Sequence, residues 1–303
     1  MKLVISASPH IDSGATTRKI MGDVLIALCP ALIAAVIIFG WRALLVTAVC
    51  AAACVFFEWG FEKLCHKPST IDDLSAVVTG VILAYNLPVS IPLWQAVFGC
   101  LVAIVAVKQL FGGIGKNFAN PALVGRIVLF LSFSKTMTAW VFPDAVSSAT
   151  PLAQLAAGQK PELWTLLLGN HGGCIGETCA LALLFGGAYL LLRGVITWQT
   201  PVCFVGTVFV LSLILGQDAV RQILSGGLLL GAFFMATDYV TSPVTSWGRV
   251  IYGVGIGIIN YTIRRWGAYP EGTTYAILLM NIAAPLIERF TRPRKYGEVK
   301  RHA

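Results

Sequence analysis

Charge is scarce in this chain: only 12% of its residues are Asp, Glu, Lys or Arg, against 57% hydrophobic. Soluble domains carry about 25% charged residues, so water is excluded as the solvent for most of this protein's surface. A Gly-x-x-x-x-Gly-Lys-Ser/Thr loop is missing, and so is a dinucleotide Gly-x-Gly-x-x-Gly after a strand. The glycines of Gly112-Gly113-Ile-Gly115 border apolar segments instead, and nucleotide hydrolysis is not expected. No hydrolase triad presents itself. The eight cysteines, at 29, 50, 54, 65, 100, 174, 179 and 203, form no Cys-x-x-Cys pair, so no metal site is expected. Cys50 and Cys54 share a helix face and Cys174 and Cys179 could meet in a loop, but small buried hydrophobes account for all four. The N-terminus has no small-residue cleavage site after a short apolar run, so no removable signal peptide is expected. The net charge of +8 does not point to nucleic acid, because the basic residues lie in short connectors and the C-terminal tail rather than on one face.

What is present is a series of apolar runs, each near the roughly 20 residues needed to cross a hydrocarbon core of about 30 Å. Punctuation by charge, Gly and Pro places helices near 22–40, 43–61, 74–87, 91–107, 121–134, 177–192, 195–215, 223–240, 248–263 and 271–288. The expected fold is an all-α membrane protein of about ten transmembrane helices. Ten spans put both termini on one side, and the basic tail with Arg289, Arg292, Arg294, Lys295, Lys300 and Arg301 makes that side cytoplasmic. Only Arg42, Lys135, Lys160, Arg221, Arg264 and Arg265 then face outward, and the Arg264-Arg265 pair runs against the rule. The expected divisions are a tail over 1–21, a first five-helix repeat over 22–134, an outer loop over 135–176, a second repeat over 177–288 and a basic tail over 289–303. Because each half has an odd number of helices, the second would run upside down relative to the first, an inverted repeat. The echo of Gly80-Val-Ile-Leu-Ala in Gly227-Leu-Leu-Leu-Gly accords with it.

The third and fifth segments are short and adjoin breakers, Asn86-Leu-Pro88 and Asn120-Pro121. Broken helices in corresponding places of two repeats line a site at the membrane midplane, or else mark packing kinks; the letters leave both open. Asp238 and Arg126 are ionisable groups close to membrane segments. Residence at the interface, with Arg126 snorkelling to cytoplasmic headgroups, is expected over an ion-handling role.

The outer loop contains Asp144-Ala-Val-Ser147-Ser148-Ala149-Thr150-Pro151, a hydroxyl flanked by small side chains, which by composition is ordinary turn chemistry. Three further stretches accompany it: Phe111-Gly-Gly-Ile-Gly-Lys-Asn-Phe-Ala-Asn-Pro-Ala122, Gly231-Ala-Phe-Phe-Met-Ala-Thr-Asp-Tyr-Val-Thr-Ser-Pro243 and Tyr269-Pro-Glu-Gly-Thr-Thr-Tyr-Ala-Ile-Leu-Leu-Met-Asn281. In this order they resemble the RnfD component of Rnf electron-transport complexes, which has a relative in the sodium-pumping NADH:quinone oxidoreductase. The likeness covers nearly the whole chain.

The resemblance implies FMN joined to a threonine by a flavin transferase through a phosphoester, which would make this a flavoprotein and a phosphoprotein. Thr150 is the matching acceptor, with Asp144, Ser147, Ser148 and Ala149 completing the attachment motif. Ala145 and Ser148 stand where the family motif has glycines. Ser13-Gly14-Ala15-Thr16 matches the motif's end more closely but lacks the preceding Asp and falls in the N-terminal tail, so Thr16 is read as a lead-in to the first helix. A second, noncovalent flavin, riboflavin, is also implied near the Asn-Pro break. Asn117 and Asn120 are candidate contacts: their spacing gives them one face if the segment is helical, and their amides both donate and accept. They could equally satisfy the broken backbone. The implied function is electron relay between ferredoxin and NAD coupled to Na+ or H+ transport, with the remaining complex subunits as partners and no catalysis by this chain alone. The quinone-reducing relative and a solute channel or transporter of similar inverted-repeat fold are the alternatives. About twenty residues precede the first helix, fewer than in the quinone-reducing relative, which favours the Rnf likeness.

Overall fold

The structure is a computed structural model that describes residues 15–140, 150–267 and 272–292. Among the described residues it is all-helical. The first half contains α1 (Thr17–Phe39), α2 (Trp41–Leu64), α3 (Ser75–Tyr85), α4 (Leu93–Leu101), which continues as a π-helical run over Val102–Gln109, and α5 (Pro121–Ser132). Three short helices follow, α6 (Ser134–Met137), α7 (Pro151–Ala156) and α8 (Leu163–Leu168). The second half holds α9 (Ala180–Leu192), α10 (Gln199–Ile214), α11 (Ala219–Leu224), α12 (Leu228–Leu230) with a π turn over Gly231–Met235, α13 (Ser246–Trp266) and α14 (Thr273–Thr291). Among the described residues, α1 and α2 are the two helices long and apolar enough to cross a membrane, and several shorter apolar helices accompany them.

Packing follows membrane rules, with small residues inside and large ones outside. The buried face of α1 is Ala27, Leu28, Ala31 and Ala35, while Ile33 and Ile37 are exposed. On α9, a Cβ at Gly186 would stand 2.2 Å from the Ala27 carbonyl oxygen, so only glycine lets α1 and α9 approach this closely. Likewise a Cβ at Gly80 of α3 would lie 2.7 Å from backbone atoms of Cys50 and Ala51 on α2.

Side-chain contacts define two ends of the bundle. At one, Asp23 near the start of α1 accepts from Tyr189 Oη at 2.8 Å and pairs with Arg193 just past α9 at 3.3 Å. Thr245, the N-cap of α13, meets Thr291 at the end of α14 at 2.7 Å. At the other end, Arg42 at the start of α2 donates to the Val89 carbonyl at 3.0 Å, and Ser90 Oγ donates to the Ala139 carbonyl at 2.8 Å. Also at that end, Arg221 Nε donates to the Pro161 carbonyl at 2.7 Å.

Two expectations need correction. The span expected over 223–240 is broken into α11, an extended Ser225, a left-handed Gly226 (φ +66°) and the α12–π run. The freed carbonyls of Gln222 and Ser225 accept from Arg264 at 2.5 and 3.0 Å. The segment expected as a plain outer loop contains the three short helices, and its end dives inward. Pro88 has no N–H to bond the Ala84 carbonyl and α3 stops; the carbonyls beyond are met by Gly176 N on Tyr85 O and Ile175 N on Leu87 O, both at 3.0 Å. Residues 169–176 therefore plug the first break, and helix α9 begins three residues later than expected, at Ala180.

Candidate functional site

A cleft of about 290 Å³ opens at the end where α1 begins and α9 finishes. Its walls are mainly apolar, including Met21, Val24, Ile82, Leu190 and Phe233, and its polar positions include Ser75, Thr79, Lys108, Asn117, Asn120 and Asp238. An apolar pocket with a few convergent polar groups is the form a small-molecule site takes. Both asparagines singled out in the sequence are present. Their shared face is not helical, however: residues 110–120 are turns and coil because Gly112, Gly113 and Gly115 adopt positive φ. Asn120 is the N-cap of α5, accepting from Ala122 N at 3.1 Å, and its amide donates to the Met235 carbonyl at 3.4 Å. Asn117 donates to the Ala119 carbonyl at 3.4 Å. These amides hold the break together and line the cleft at the same time.

Beneath the cleft wall lies a buried polar cluster that sequence reading passed over. Lys108 Nζ pairs with Glu58 Oε1 at 2.7 Å and donates to Ser75 Oγ at 2.6 Å. Gln109 Nε2 donates to the same Glu58 oxygen at 2.8 Å. The wider π turns that end α4 turn two consecutive residues inward, and Lys108 and Gln109 are 3% and 2% exposed. Glu62, one helical turn beyond Glu58, accepts from Thr70. The available signal was two glutamates four apart and a lysine within apolar runs, since ionisable groups in membrane segments mark function by default.

Between the halves, Arg126 of α5 is 5% exposed and donates to Asn86 Oδ1 at 2.9 Å and Thr274 Oγ1 at 2.7 Å, with Cys174 Sγ at 3.5 Å. The expectation that it snorkels to headgroups is overturned. α5 spans only 12 residues and carries Arg126 on the face where the α3 break, the start of α14 and the inserted connector converge. Asp238 is half-buried and caps a turn, accepting from Val240 N at 3.4 Å and Thr241 Oγ1 at 3.1 Å.

Thr150 lies at the opposite end from the cleft. It is half-buried and caps α7, its Oγ1 accepting from Ala153 N at 3.3 Å. Leu152, two residues on, packs beside Gly226 and lines a small polar pocket with Gln217, Gln222, Arg264 and Arg265. Asp144, Ser147, Ser148 and Ala149 lie outside the described residues. Thr16 caps α1 through Lys19 N at 3.3 Å, in keeping with a lead-in role. None of the eight cysteines is in a disulfide, and no cluster of metal-ligating side chains occurs among the described residues. Cys174 faces Arg126, and Cys179 Sγ is directed to the Leu167 carbonyl.

Residues 4–297 match the model of the NQR2, RnfD, RnfE family. The chain is 49% identical over 308 residues to the D component of the Na(+)-translocating ferredoxin:NAD(+) oxidoreductase complex of Acetobacterium woodii, covering 99% of this chain and 97% of that one. It is 41% identical to the D component of the proton-translocating ferredoxin:NAD(+) oxidoreductase complex of Clostridium ljungdahlii, covering 97% and 96%. To the D component of the ion-translocating oxidoreductase complex of Ectopseudomonas mendocina the identity is 36%, covering 99% and 97%. The ordered motifs, the all-helical fold and this end-to-end likeness place the chain in the NQR2, RnfD, RnfE family.

Proposed function

We propose that the chain is the membrane flavoprotein subunit of an ion-translocating ferredoxin:NAD oxidoreductase complex, carrying FMN esterified to Thr150 and riboflavin in the cleft of Asn117 and Asn120. The carrying observation is the pairing of a capping threonine hydroxyl at one end of the bundle with an apolar, amide-lined cleft at the other. The cap uses the Thr150 oxygen as acceptor, so replacing its hydrogen by phosphate leaves that geometry in place. The sequence before it, Ser147-Ser148-Ala149, carries only small side chains. In the cleft, Asn117 and Asn120 supply amide donors and acceptors to the edge of a flavin, and the apolar walls take its ring faces.

A bound flavin supplies stepwise electron transfer, and the fold supplies placement. Ferredoxin and NAD are handled by other subunits, and a flavin transferase attaches the FMN. Support for ten spans in two inverted halves comes from the matched breaks, each closed by buried protein groups. Arg18, Lys19, Lys63, Lys67, Arg193, Arg249 and Arg289 gather at the cleft end, which supports a cytoplasmic cleft and an external Thr150. Relatives translocating Na(+) and protons stand at 49% and 41% identity, so either ion fits this reading. Moving one charge against 100 mV costs about 2.3 kcal/mol, within reach of a redox drop.

The test is in-gel flavin fluorescence of the denatured chain after expression with a flavin transferase. Wild type and Thr16→Val should fluoresce and Thr150→Val should be dark. A fluorescent Thr150→Val chain would end the covalent-relay reading.

A further inference from the structure

Lys108 is the basic side chain on the cleft wall, while its partner Glu58, 0% exposed, lies behind it and does not line the cleft. The pair, 2.7 Å apart, is therefore an oriented dipole with its positive end toward the cleft. Its negative end is fixed by Gln109 Nε2 at 2.8 Å, and its positive end by Ser75 Oγ at 2.6 Å. Glu58 Oε2 is buried without a hydrogen-bond partner among the described residues. That arrangement costs desolvation energy, and a purely structural pair would be expected to satisfy both oxygens.

Burial matters because charges interact far more strongly in a low-dielectric interior than in water. A group in the cleft that accepts one electron gains one negative charge. The ammonium, nearer to it than the carboxylate, stabilises that charge by more than Glu58 destabilises it. Asp238 is the acidic side chain on the cleft wall and acts with the opposite sign, although its oxygens are occupied by Val240 N and Thr241 Oγ1. Glu62 is turned to Thr70, and Asp73 accepts from Ser75 at 2.5 Å. Neither of them lines the cleft.

We propose that the Lys108–Glu58 pair is an electrostatic tuning device that raises the reduction potential of the electron carrier held in the cleft. This makes Lys108 a positioning and tuning residue for electron entry, and it rests on the reading of the cleft as a flavin site. The electron comes from the donor side of the complex and leaves to the next carrier, and the pair itself undergoes no bond change.

The experiment is a redox titration of the noncovalent flavin in the purified complex, with extracted flavin quantified alongside. Lys108→Met combined with Glu58→Gln, which leaves no unpaired buried charge, should lower the potential. The expected shift is about tenfold in the reduced-to-oxidised ratio, or about 59 mV for a one-electron couple. Asp238→Asn, which leaves the Lys108–Glu58 pair intact, should raise it. Lys108→Arg should hold it near wild type. A potential unmoved in the double variant, with flavin still bound, would overturn the tuning role while leaving the flavin site standing. A wild-type complex without extractable noncovalent flavin would instead remove the flavin reading of the cleft, and this inference with it.

Discussion

At the scale of single residues, Thr16 and Thr150 do the same local work, each accepting from a backbone N–H three residues on at the start of a helix. What distinguishes them is place: they cap helices at opposite ends of the bundle. Capping explains why both sequences read as turn chemistry, since Ser and Thr before a helix are favoured for that role alone. Arg126 shows the reverse, a residue whose letter misleads. An arginine six residues into a short apolar helix reads as a snorkelling group, yet its partners Asn86 and Thr274 are 40 and 148 positions away. Both bonds leave from Nη1, at the far end of a planar guanidinium whose reach and direction the shorter lysine ammonium does not reproduce. Arg126→Lys should therefore leave one of the two buried acceptors unmet and cost about 1–3 kcal/mol. The readout is a lowered midpoint in thermal melts of the detergent-solubilised complex, with a Lys63→Arg control, exposed and at the end of α2, unchanged.

At the scale of elements, α1, α2, α13 and α14 were legible, because long apolar runs between polar punctuation leave few alternatives in a bilayer. The breaks were legible too, from Pro88 and from Asn120-Pro121. What closes them was not. Gly172-Gly-Cys-Ile-Gly-Glu177 reads as an outer loop, and only the carbonyls released ninety residues earlier turn it into an inserted segment. The fit is tight: a Cβ at Gly176 would stand 2.3 Å from three atoms of the Tyr85 side chain. Gly176→Ala should destabilise by about 1–3 kcal/mol through overpacking. Gly206→Ala, inside α10 with nothing within 4 Å of the added carbon, should not destabilise in the same melts and should gain up to about 1 kcal/mol from helix propensity. Burial also holds the His171 imidazole of this connector below its usual value, against the opposing pull of the Gly172 carbonyl and Glu177. A depressed folded-state value means the unfolded chain takes up the proton first. The contribution is thus intact above about pH 6.5 and lost as pH falls below it. Melting midpoints should decline from that pH downward, and His171→Gln should flatten the decline.

At the scale of the whole molecule, the two proposed flavin stations sit at opposite ends of a bundle whose longest helix, α2, has 24 residues and so spans about 36 Å at 1.5 Å per residue. A relay built this way needs the orientation inferred from charge, with the cleft end in the cytoplasm. The basic pair Arg264-Arg265 first argued against that orientation, but Arg264 is committed to the carbonyls of Gln222 and Ser225, which leaves Arg265 as the exposed member. A cation that satisfies broken backbone is spent on structure, so it should count little in the inside–outside balance. Native Cys65, exposed at the end of α2, marks the cleft end, and Gln159, exposed after α7, marks the other. A membrane-impermeant maleimide should label Cys65 in inverted vesicles and spare it in intact cells, while a Gln159→Cys chain should gain label in intact cells. Cys29, exposed in the middle of α1, should stay unlabelled in both because it faces hydrocarbon. Labelling of Cys65 from outside the cell would invert the bundle, moving the cleft to the external face and Thr150 to the cytoplasm.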